Sequence, residues 1–157
     1  MITITIVGII GLGVGTLFTK GMQLWQMNKA KAEIERDVRT ALDLIIQNIR
    51  QAEDSTIVID RYDANQPPYS RITFTSVKGG TISYYQKGTE LFQNTAAGDY
   101  RLMENLRNVT FTYEDTELPD EGEVSVINCS VCAETHVWAA RTKVFQLNAE
   151  KIRVMNN

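Results

Sequence analysis

Polar and apolar positions divide the chain into two unequal parts. From Ile2 to Phe18 nearly every residue is apolar, Gly or Thr, and the first charged side chain is Lys20. At about 1.5 Å per residue, that run covers roughly 25 Å of helix, against a hydrocarbon core about 30 Å thick. Seventeen such residues without alternation are too long for an ordinary strand, which favours a membrane helix over a buried helix of a globular domain. The membrane and assembly face is read at Ile2, Ile4, Ile6, Val7, Gly8, Ile9, Ile10, Gly11, Leu12, Val14, Gly15, Leu17 and Phe18. Gly8, Gly11 and Gly15 would let neighbouring helices approach closely.

From Trp25 onward the period changes. Ile34, Val38, Ala41, Ile45, Ile49 and Ala52 recur three or four residues apart, while Lys31, Glu35 and Arg39 fall mostly on other faces. Proline is absent before Pro67, so both halves can form one continuous helix, apolar over 1–20 and amphipathic over 21–53. The stripe Ile34, Val38, Ala41, Ile45 and Ile49 is the expected helix–sheet core.

After Asp54 the pattern becomes short β-rich runs broken by turn residues. Candidate strands are 55–60, 71–77, 81–86, 89–93, 109–113, 123–129 and 144–154, with Lys78-Gly79-Gly80 closing a hairpin and a polar loop following 93. The expected fold is α+β: a long N-terminal helix packed on one antiparallel sheet formed by 54–157.

Composition narrows the functions. The 157 residues are 43% hydrophobic with a net charge of −3, and Lys and Arg are scattered, so bulk charge offers no nucleic-acid footprint. A dinucleotide-binding turn is the rival reading of ITIVGIIGLGVGT. Thr16 stands where the third glycine of G-x-G-x-x-G belongs, and the following stretch KAKAEIERDV reads as helix rather than a second strand.

Cys129-Ser-Val-Cys132 followed by His136 offers too few ligands for structural zinc. A local Cys129–Cys132 disulfide is the leading reading, although an extended segment would point residues three apart to opposite faces. Glu114, Asp115, Glu117, Asp120, Glu121 and Glu123 form an acidic loop whose spacing matches no EF-hand, so no metal is assigned. Tyr84 and Tyr85 adjoin in a strand, one expected toward the core and the other toward solvent or a partner, and a packing role is the safer reading for both. No Ser, His and Asp set has catalytic context, and neither enzymatic activity, a cofactor nor a small-molecule substrate is expected.

An apolar helix continuing into an amphipathic one and docking on a C-terminal sheet resembles type IV pilins and type II secretion pseudopilins. AEIERDVRTALDLIIQNIRQAEDSTIV (32–58) is similar to the helix end of J-type pseudopilins and W-type minor pilins. RITFTSVKGGTISYYQKGTELFQ (71–93) resembles the same family's meander, LMENLRNVTFTYED its next strand and KIRVMNN its closing strand. The resemblance implies a minor subunit that waits in the inner membrane, β domain outside the cytoplasm, and then packs against other pilin or pseudopilin subunits. Calcium at the acidic loop is known in some pseudopilins. The family's cleavage motif, glycine followed by F-T-L-I-E, would precede such a run, whereas this chain opens MITITIVGII, so a truncated or internally started chain is expected. Lys20, Lys29 and Lys31 after the span would put the C-terminal part in the cytoplasm, an orientation that a basic leader would reverse. The alternative is a single-pass membrane anchor for a β-domain binding module that never polymerises.

Overall fold

A computed structural model describes residues 2–113, 126–137 and 142–155, with the backbone alone for 2–10 and 142–145. One helix, α1 (Ile2–Ile49), precedes eight strands: β1 (Val58–Asp60), β2 (Arg71–Thr75), β3 (Thr81–Lys87), β4 (Glu90–Thr95), β5 (Gly98–Met103), β6 (Leu106–Tyr113), β7 (Val126–Val137) and β8 (Thr142–Arg153). The fold is α+β, a long helix packed on antiparallel sheets.

At 48 residues, α1 is about 72 Å long. Its last third holds Ile34, Val38, Ala41, Leu42, Ile45 and Ile49, all buried, and these pack on β7, β8 and β5. Leu42 broadens the stripe that the spacing predicts. Packing of this face holds the helix to the sheets, because propensity alone contributes little. The helix ends without Gly or Pro. Its final turn tightens, with the Gln51 amide donating to the Asn48 carbonyl at 3.1 Å and the Ala52 amide to Ile49 at 3.0 Å. The Glu53 amide then donates to the Thr75 carbonyl at 2.9 Å, drawing the chain onto β2. Residues 54–56 form a short 3-10 turn rather than the start of the expected strand, which is confined to β1.

The single sheet expected from the sequence is two. Strands β1 to β5 form one five-stranded meander, and β6 to β8 a three-stranded one. The β2–β3 hairpin closes over Gly79 (φ 84°) and Gly80 (φ 106°), backbone angles that favour glycine. The loop expected after 93 is instead a hairpin, Thr95 pairing with Gly98, that adds β5 as an edge. Asp99, Tyr100 and Arg101 on β5 are exposed, so the strand needs no apolar alternation and left none to read.

Buried polar groups join the layers. The Asn48 amide of α1 donates to the Tyr84 hydroxyl at 2.5 Å, and Gln93 donates to the same oxygen at 3.2 Å. Gln86, buried on β3, donates to the Gly88 and Arg107 carbonyls at 2.9 and 3.1 Å and accepts from the Val109 amide at 3.1 Å.

Both tyrosines of the Tyr84–Tyr85 pair are buried, so both pack, and neither faces solvent. Tyr84 enters the core. Tyr85 lies on the other face, where Tyr62 folds back from the β1–β2 connection and stacks on it at 4.3 Å, with Phe92 beside it at 5.7 Å. Asp60 and Arg71 form an ion pair at the foot of that connection.

Candidate functional site

The helix that docks through its last third is exposed over residues 11–22, and among the described residues Ile34 is its first buried position. Leu12, Val14, Leu17, Phe18, Met22, Leu24 and Trp25 are the large apolar residues of this projecting part, with Leu12, Leu17 and Phe18 at 70% exposure or more. Gly11 and Gly15 have open space where a Cβ would stand, with no other part of the described residues near them. The remaining members of the read membrane face, Ile2, Ile4, Ile6, Val7, Gly8, Ile9 and Ile10, lie on the helical backbone, but their side chains are outside the described residues.

Helix phase separates two apolar faces. Val14, Phe18, Met22 and Trp25 follow one another at steps of three or four and form a stripe. Phe18 and Val38 are about five and a half turns apart, which puts them on opposite sides of α1. The stripe at Phe18 is therefore turned away from the side that holds the sheets. The domain cannot cover it by straightforward extension of its own packing.

The hydroxyls of Thr16 and Thr19 bond within the helix itself. The Thr16 hydroxyl donates to the Gly13 carbonyl at 2.8 Å, and Thr19 donates to Thr16 and Gly15 at 3.0 and 3.2 Å. A hydroxyl bonded to its own helix demands little of the medium around it. Charge enters in sequence order: Lys20, then Lys29, whose Nζ stands 5.7 Å from the Trp25 ring centroid and 3.8 Å from Glu33, and then Lys31. Trp25 begins the amphipathic half in the sequence, yet it is exposed and on the outer stripe. Met22, absent from the predicted face, belongs to the same stripe, while Leu24, also exposed, lies on another side of the helix, about five turns before Leu42. The step of four from Phe18 to Met22 was the available signal.

Among the described residues, no helix is long and apolar enough to cross a membrane. Much of the run on which a spanning reading rests falls in residues 2–10, whose side chains are not described.

The cysteine reading is corrected. Cys129 and Cys132 are free thiols in the middle of one continuous strand, β7. Alternation sends Cys129 into the core and Cys132 to the opposite face, so the bridge would require β7 to break. Burial, with Glu150 nearby, pushes the Cys129 thiol up to about 12. That raises the cost of forming a thiolate and makes Cys129 inert. No group of three or more metal-ligating side chains occurs among the described residues. Glu114, Asp115, Glu117, Asp120, Glu121 and Glu123, the acidic loop, lie outside them.

Fold and surface together define an α+β domain carried on a projecting, apolar helix. Comparison with protein-family models, curated proteins and solved structures returned no match.

Proposed function

We propose that the chain is a minor pilin or pseudopilin, a structural subunit that anchors in the inner membrane and assembles into a type II secretion pseudopilus or a type IV pilus. The observation that carries the reading is the two-faced helix: one stripe packs on its own sheets, and another, half a turn away, faces outward with nothing among the described residues against it. In lipid the outer stripe is solvated by acyl chains. In a fibre it packs against equivalent helices of other subunits. Lipid tails and Leu or Phe side chains are similarly apolar, so the exchange is driven by close packing, which Gly11 and Gly15 permit. The sheets remain outside the membrane and supply lateral contacts. The reaction is one of assembly, and no residue is assigned a catalytic role.

Fibre isolation tests the proposal. The full chain is co-expressed with the other pilin-like subunits of its machine, and surface fibres are sheared off. The expected result is the chain in the sheared fraction, and its loss from that fraction when Phe18→Asp places a carboxylate on the packing stripe. Assembled fibres that never contain the wild-type chain overturn assembly and leave a membrane-anchored binding module.

A further inference from the structure

The charge of the chain is divided as sharply as its hydropathy. Of the net −3, the first 32 residues contribute +3 through Lys20, Lys29 and Lys31 without one acidic side chain, so residues 33–157 carry −6. Those three lysines bracket Trp25. Along the axis Lys20 lies about 7 Å before the indole, Lys29 about 6 Å and Lys31 about 9 Å beyond it. Lys20 and Lys31 are exposed, Trp25 is 63% exposed, and Lys29 sits over its ring. The apolar run ends at Phe18, about 10 Å before Trp25.

We infer that Trp25, Lys20, Lys29 and Lys31 form a collar that seats among anionic phospholipid headgroups and fixes how deeply α1 enters the bilayer. The inference rests on the membrane-anchored reading given above and adds the lipid class that it recognises. An indole is apolar in body with one N–H donor, a combination suited to the boundary between acyl chains and water. Lysine stems run along apolar surface while the ammonium reaches polar ground, so Lys20 bends up and Lys29 and Lys31 bend down toward one layer. A positive collar beneath a domain of net −6 draws phosphates to the helix and keeps the acidic domain off the same surface. Glu33, the first acid in the chain, stands 3.8 Å from the Lys29 ammonium and marks the collar's upper edge.

Energy transfer from Trp25 to labelled lipid tests it. The full chain, with Trp138→Phe so that Trp25 is the single donor, is reconstituted into nanodiscs of phosphatidylcholine with 30% phosphatidylglycerol. Each disc carries a trace of headgroup-dansylated lipid of one class or the other. Expected is severalfold more transfer to the anionic lipid than to the zwitterionic one, abolished by Lys20→Gln with Lys29→Gln and Lys31→Gln, and weakened by 1 M salt, which screens surface charge. Equal transfer to both lipids from a disc-bound chain overturns the collar while leaving the anchor. A triple variant that keeps its lipid preference but loses self-association, read by light scattering, assigns the lysines to a second copy and also overturns it. A chain that never associates with the discs removes the anchored reading itself.

Discussion

The side-chain oxygen of Gln86 accepts a hydrogen bond from the backbone amide of Val109 at 3.1 Å, and through it a strand of the five-stranded sheet is fastened to a strand of the three-stranded sheet. The same side chain donates to the carbonyls of Gly88 and Arg107, so one buried amide satisfies three backbone groups where the sheets meet. Neighbouring backbone bonds follow the same seam, with Phe111 donating to Tyr69 and Leu106 to Thr89, both at 2.9 Å.

Gln86→Leu keeps the volume and removes all three partners. An unsatisfied buried backbone group costs about 1–3 kcal/mol, and because two of the acceptors lie near strand ends where water can reach, the expected loss is about 3 kcal/mol. The midpoint of urea unfolding should fall at unchanged slope. A loss under about 1 kcal/mol would mean that the seam is held by the backbone bonds alone.

Packing predicts a contrast along α1. Ile45 is fully buried beneath the sheets, so Ile45→Ala should destabilise the domain by about 2–5 kcal/mol through lost burial and a cavity. Phe18→Ala, on the projecting part, should leave the unfolding midpoint unchanged while weakening assembly. Equal effects of the two substitutions on unfolding would show that the outer stripe is buried within the same chain.

The thiols should separate by reactivity. In native protein an alkylating reagent should modify Cys132 and spare Cys129, which is buried and whose thiol is pushed up to about 12. Both should react in urea. Mass spectrometry distinguishes the outcomes, and native modification of Cys129 would require β7 to open.

Alkaline pH should unfold the domain early. Burial raises the Cys129 thiol from 9.0 and the Tyr84 hydroxyl from 10.0, each to about 12, with Asn48 opposing the shift at Tyr84. Between the unfolded and folded values the unfolded chain binds fewer protons, so stability falls as pH rises. Stability from these groups is intact below about pH 9 and declines from there to about pH 12. Urea midpoints measured across that range should decline less steeply in the double variant Cys129→Ala with Tyr84→Phe, the remainder coming from Tyr85 and Tyr113, whose hydroxyls burial also raises. An unchanged slope would assign the alkaline loss to other groups.

What the amino-acid sequence determined by itself was whatever depends on neighbours close in the chain. The uninterrupted helix follows from the absence of proline before Pro67. The core stripe follows from the three- and four-residue spacing of Ile34, Val38, Ala41, Ile45 and Ile49, all of which are buried. The hairpin at Lys78-Gly79-Gly80 follows from glycines able to take positive φ. Two steps of four and one of three also mark the outer stripe from Val14 to Trp25, although Trp25 stands at the start of the amphipathic half.

Only the tertiary structure decided the rest, because those features depend on residues far apart in the chain. Strand β5 is an edge whose first half, Asp99 to Arg101, is exposed and held to β4 by ladder hydrogen bonds, while Met103 at its end is buried in the core. The chain forms two sheets, and they are joined where Gln86 meets Val109 across 23 positions. Tyr85 is covered because Tyr62 returns over it, and Cys132 is turned from Cys129 because β7 runs unbroken between partners on both sides. A periodic pattern records which face is apolar, but which distant group lies against that face is fixed only when the chain has folded.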